Sequence, residues 1–204
     1  MSRAVILFVA LASLLSVVLT AKAPGAKGSA KGRAAASSAW PDHYSLEGGG
    51  GLSLPLSPRG PDSFAVSYAE AYSGEGGLFA HWGPWGLGLA GTGASFAHQH
   101  VDHTSFSLAV GALVLERAFW FEDGIEEGPL VRFGAGGGTA SLKSIYPGSD
   151  DWTGAALTAG AGYRFNLARH LRLDFLAASW GLLGDDKRDA VFMGQISGGL
   201  GLWW

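Results

Sequence analysis

No cysteine occurs anywhere in the chain, which removes disulfide frameworks, thiolate metal sites, cysteine nucleophiles and a lipid-bearing cysteine anchor. Charge is scarce as well. Only 15% of residues are Asp, Glu, Lys or Arg, against about 25% in ordinary soluble domains. The net charge is −3 and no basic stripe is present, so no nucleic-acid partner is expected, because phosphate binding needs a basic face. Glycine, by contrast, is abundant: 33 of 204 residues, about twice the usual share of about 7%. A glycine-rich chain with few charges and a 48% hydrophobic fraction is not built to face water on every side.

The first 23 residues read as an export signal. Met1-Ser2-Arg3 is a positive start, residues 4–19 are an apolar run short for a membrane helix, and Ala21-Lys22-Ala23 is a small-residue cleavage site. An uncleaved inner-membrane anchor is the alternative, and export holds under both. Residues 24–42 begin with PGAKGSAKGRAAASSAW, small and polar with no apolar period, and read as a flexible leader. The structural domain is expected over 43–204.

From Tyr44 onward the hydrophobic pattern has a period of two. In the last segment Phe192, Ile196, Leu200, Leu202 and Trp204 alternate with Gln195, Ser197, Gly199 and Gly201. A soluble sandwich would alternate in the same way. Strand length and number favour a membrane. Runs between turn residues predict strands at 43–54, 63–73, 84–97, 104–118, 128–142, 153–165, 170–181 and 190–204. Most reach the roughly 9–11 residues needed to cross a bilayer at a tilt, and an even number suits a closed barrel with both termini on one side. Segment 74–85, GEGGLFAHW and its neighbours, is long for a turn and could extend a strand.

With both termini periplasmic, aromatic residues divide into two belts. Tyr44, Tyr72, Trp82, Trp85, Phe119, Trp120, Phe121, Phe133, Tyr163, Phe165, Trp203 and Trp204 fall at the periplasmic rim. Phe64, Phe96, Phe106, Tyr146, Trp152, Trp180 and Phe192 fall at the other. Aromatic rings settle at membrane interfaces because an apolar body and a polar edge are both satisfied there.

YRFNLARHLRLDF (163–175) resembles the penultimate hairpin of small outer-membrane barrels, with a tight turn at Asn166–His170. Ile196, Leu200, Leu202 and Trp204 resemble their C-terminal β-signal, alternate apolar residues leading to a terminal aromatic. The chain is therefore similar to the eight-stranded outer-membrane barrels of the OmpA/OmpX type. The resemblance implies an all-β, eight-stranded antiparallel transmembrane barrel in the outer membrane, with lipid and, during biogenesis, the barrel-assembly machinery as partners.

An eight-stranded barrel is just wide enough for its side chains to fill. Parity places Glu47, Arg117, Arg132, Arg164, Arg172 and Asp174 in the lumen toward the periplasmic half, a charge-paired plug. The excess of arginine would fall to water or to Glu70, although parity points Glu70 outward. A gated ion path is the competing reading of the same residues.

His98, His100 and His103 with Asp102 share one short turn, and such a set can hold zinc or copper, but an exposed loop rarely fixes ligand geometry. His103 and Ser105 suggest a lipid A-modifying barrel enzyme, against which parity points both inward, away from lipid. His43, His81 and His170 lie near turns and read as solvated. The glycine clusters at 48–51 and 134–138 lie within strands, with no following helix to cradle phosphate. No cofactor is expected. The outer connections, about 55–62, 98–103, 143–152 and 182–189, are all short, which disfavours a large adhesin or transporter plug. The expected role is structural or interactive and non-enzymatic, in the cell envelope; a narrow channel and a lipid A-modifying enzyme are the alternatives.

Overall fold

A computed structural model describes residues 40–56, 68–100, 103–119, 127–143, 150–184 and 190–204. The export signal and most of the leader lie outside these residues, as do Phe64, Asp102, Trp120, Phe121 and Tyr146.

Eight strands follow in chain order: β1 His43–Pro55, β2 Ala71–Trp82, β3 Trp85–Ala97, β4 Ser105–Ala118, β5 Gly128–Lys143, β6 Asp150–Ala168, β7 Leu171–Leu183 and β8 Val191–Trp203. Each pairs antiparallel with its neighbour, and β1 pairs with β8, so the sheet closes on itself. Closure leaves no edge, and it satisfies backbone groups in a medium that offers them no partners.

Strand β2 departs from the sequence reading. It begins at Ala71, not near 63, and GEGGLFAHW forms its body. The reason is the turn. Gly83 takes a left-handed φ of 54°, and Trp82 pairs directly with Trp85 across a Gly83–Pro84 turn; the Gly83 amide is held 2.6 Å from Asp42 Oδ2. The β1–β2 connection therefore runs from 56 to 70, longer than the expected 55–62. The β6–β7 turn is Arg169–His170, next to a bulge between Asn166 and Ala168.

The strands sort their side chains cleanly. Leu46, Leu78, Leu89, Leu113, Leu157, Phe175, Ile196 and Leu200 stand exposed on the outside, an apolar wall made for lipid. Aromatic residues on that wall gather mainly at the end where β1 starts and β8 finishes, here the terminal end: Tyr44, Trp85, Phe133, Phe165 and Trp204 are all exposed there. The second expected belt is different. At the opposite, loop end, Phe96, Phe106 and Trp180 are buried in the lumen and Trp152 packs against that core. Tyr72, expected at the terminal rim, stands exposed at the loop end, paired with Leu52, because β2 starts there. The outer wall near that end carries Ser95 and Ser107, whose hydroxyls bond at 3.0 Å.

Candidate functional site

The lumen is stacked in three zones. The loop-end zone is apolar. Phe96, Phe106, Leu108, Trp180, Leu182, Val191 and Met193 fill it. Tyr68, wholly buried, packs its ring on Phe106 (5.9 Å) and edge-on to His98 (5.1 Å). Its segment is pinned to the wall by Ala69 N donating to Ala97 O (3.0 Å) and by Gln99 Nε2 donating to Tyr68 O (3.1 Å).

A thin polar zone lies below. Gln195 Nε2 donates to Glu75 Oε2 (2.9 Å), and the Thr92 hydroxyl lies 3.1 Å from Gln195 Oε1. The space between zones is a cavity of about 30 Å³ lined by Glu47, Glu75, Arg132, Thr158, Asp174 and Trp180 among others. That is room for two or three waters, at about 10–15 Å³ each.

The third zone, toward the terminal end, is an ion-pair layer. Arg164 is fully buried and forms a fork with Asp174, Nε to Oδ1 at 3.0 Å and Nη2 to Oδ2 at 2.9 Å. Its Nη1 donates to Glu116 Oε1 at 2.9 Å. Arg132 reaches Glu116 Oε2 at 2.6 Å and Glu47 Oε2 at 2.5 Å, with its guanidinium 4.9 Å from the ring of Phe79. Arg172 pairs with Glu47 and donates to Ser45 Oγ at 2.9 Å. Arg132, Arg164 and Arg172 thus meet Glu47, Glu116 and Asp174, and the six charges cancel. Planar guanidinium forks suit such bidentate pairing, and each of the six buried charges lies within ion-pair distance of a group of opposite sign. Arg172 also needs room: a Cβ at Gly201 would lie 2.7 Å from its Nε, so a glycine stands opposite it in the next strand.

Arg117 is not part of this layer. It lies exposed on the outer wall, its guanidinium 4.9 Å from the Trp85 ring and 5.2 Å from the Phe119 ring. Glu116 takes the inward place instead. The register of β4 is fixed by Phe106, Leu108, Val110, Ala112 and Val114, all buried, so even positions face inward. A one-residue change of parity reverses every side chain of a strand. The same change turns Ser105 outward, where it pairs with Ala97 and Lys143. Glu70 is exposed just before β2 at the loop end, so Glu116, and not Glu70, balances the arginines.

The histidines divide. His81, expected to be solvated, is buried; it stacks on His43 at 4.4 Å and lies 2.8 Å from Ser45 Oγ, sealing the terminal side of the ion-pair layer. His170 is exposed in its turn. His98 Nδ1 accepts from the backbone of His100 at 3.1 Å, and His103 is exposed with a left-handed φ of 60°. Asp102 lies outside the described residues, and among those described no group of three His, Cys, Asp or Glu side chains is arranged to hold a metal ion.

Ile196, Leu200 and Leu202 on β8, and Trp204 just past its end, all stand exposed on the outer wall. Trp204 stacks with Tyr44 at 6.5 Å, and the two residues exchange backbone hydrogen bonds of 2.9 and 3.0 Å at the seam.

A closed barrel of eight antiparallel strands, apolar outside and filled within, defines the class: an eight-stranded β-barrel of the outer-membrane type. Solved structures agree on the fold. The crystal structure of Neisserial surface protein A superposes with a TM-score of 0.58 at 12% identity, covering 78% of this chain and 96% of that one. Ail, the attachment invasion locus protein of Yersinia pestis, in complex with the heparin analogue sucrose octasulfate, gives 0.50 at 18% identity, covering 79% and 98%. No protein-family model and no curated protein sequence matches the chain.

Proposed function

We propose that this protein is a non-conducting, non-enzymatic barrel of the bacterial outer membrane with a structural or interaction role in the cell envelope. The observation that carries this reading is the filling of the lumen among the described residues: a neutral ion-pair layer at one end, an aromatic and aliphatic fill at the other, and a cavity of about 30 Å³ between. A hydrated ion crossing this barrel would have to break buried guanidinium–carboxylate bonds and then enter an apolar zone. The polar zone of Glu75, Gln195 and Thr92 does not continue past Phe96 and Phe106. In this reading both termini face the periplasm, residues 1–23 direct export, and lipid covers the outer wall. Ile196, Leu200, Leu202 and Trp204 serve as the signal read by the barrel-assembly machinery. The longest outer connection, 56–70, is where an interaction would be made. Ail, whose name records attachment and invasion, supports an interacting loop end on a similar barrel.

The refolded protein in planar bilayers is expected to show no stepwise conductance. Clear single-channel events would overturn the proposal. The chain should also require detergent for extraction and migrate faster on gels when unheated than when boiled, as compact barrels do.

A further inference from the structure

Every other arginine of the strands meets a carboxylate inside the barrel, and Arg117 does not. It sits on the outer wall, exposed, against two aromatic rings. Among the described residues no hydrogen bond or ion pair engages its guanidinium. Its cross-strand partner is Trp85, which in turn pairs with Trp82 immediately before the Gly83–Pro84 turn, so the group stands at the rim of the barrel. The exposed ring of Phe133, from the neighbouring strand, lies at the same end of the outer wall.

A cation facing hydrocarbon without a counter-charge is costly, and the aromatic rim marks the depth where hydrocarbon gives way to headgroups. The two rings lie 4.9 and 5.2 Å from the guanidinium carbon, and among the described residues its five N–H donors meet no acceptor. A planar fork of donors at headgroup depth fits a phosphate oxyanion better than any other group of a lipid. We propose that Arg117, Trp85 and Phe119 form a binding site for the phosphate of a glycerophospholipid headgroup, in the leaflet at the terminal end of the barrel. The rings grip the guanidinium, the guanidinium takes the phosphate, and the acyl chains lie down the leucine wall past Leu115 and Leu87. This site rests on the reading of the chain as a membrane-embedded barrel.

The test is native mass spectrometry of the full-length refolded barrel in a non-ionic detergent, titrated with phosphatidylglycerol. Wild type is expected to retain one lipid at low lipid concentration. Arg117→Gln should need about tenfold more lipid for the same occupancy. Arg117→Lys, which keeps the charge and loses the planar fork, should fall between. Lys143→Gln, at the opposite rim, should bind as wild type does. Retention unchanged in both Arg117 variants overturns the site. Competition by millimolar glycerol 3-phosphate as strong as that by the lipid also overturns it, since the site would then be one for free phosphate. Heat-dependent gel migration of each sample keeps the two readings apart: a folded Arg117→Gln barrel with full lipid retention refutes the site alone, whereas a wild type without heat-dependent migration refutes the barrel.

Discussion

Replacing Arg164 by methionine is expected to destabilise the folded barrel by about 3–5 kcal/mol, the usual loss when one member of a buried charge network is removed. Arg164 is 1% exposed and touches all three carboxylates of the layer: Asp174 through a fork, Glu116 at 2.9 Å and Glu47 at 3.4 Å. Methionine fills similar space but leaves Glu116, itself 1% exposed, and Asp174 with fewer donors than their burial requires. The layer would then carry two arginines against three carboxylates. Adding Glu116→Gln restores two against two, with Arg132 and Arg172 facing Glu47 and Asp174. The double variant is therefore expected to recover part of the loss, the coupling that residues of one network show. Urea titration in micelles, followed by heat-dependent gel migration and tryptophan fluorescence, measures both. An Arg164→Met midpoint equal to wild type would remove the ion-pair layer as a source of stability.

The second large effect concerns the seam. A Cβ at Gly51 would fall on the carbonyl oxygen of Ile196 and 2.6 Å from the Cα of Ser197, both backbone atoms of β8. Valine there cannot be accommodated by moving a side chain, because the obstacle is the strand that closes the barrel. Gly51→Val is expected to abolish the fast-migrating folded form. At Gly48, three residues earlier, a Cβ would meet nothing within 4 Å, and Gly48→Ala should fold as wild type does. If Gly51→Val folds with an unchanged urea midpoint, the close contact at the seam is not needed for closure.

The strands were legible because a strand that separates two environments alternates, and β8 shows this with Ile196, Leu200 and Leu202 outside and Gln195 and Ser197 inside. The inside of β4 was not legible. Leu108, Val110 and Val114 face the lumen while Leu113 and Leu115 face lipid, so both faces are apolar and the period of two carries no sign. Charge supplies the missing sign. Counting Arg117 as internal leaves four arginines against two carboxylates, whereas exchanging it for Glu116 gives three against three, and only the second can be buried without excess charge. The loop-end aromatics failed for a related reason. Phe96 and Phe106 pair with each other directly across β3 and β4, and a narrow lumen accepts large rings as readily as an interface does. Strand β2 was obscured by its own glycines, since Gly74, Gly76 and Gly77 read as a turn until the Gly83–Pro84 turn is recognised.

Glu47 stands on β1, whereas Glu116, Arg132, Arg164, Arg172 and Asp174 stand on β4 to β7. Strands β4 to β7 alone therefore carry three guanidinium groups of the layer against two of its carboxylates. The third carboxylate of the layer, Glu47, stands on the first strand, at the seam where β1 meets β8. Closing the cylinder at the seam of β1 and β8 therefore also completes the charge balance of the layer.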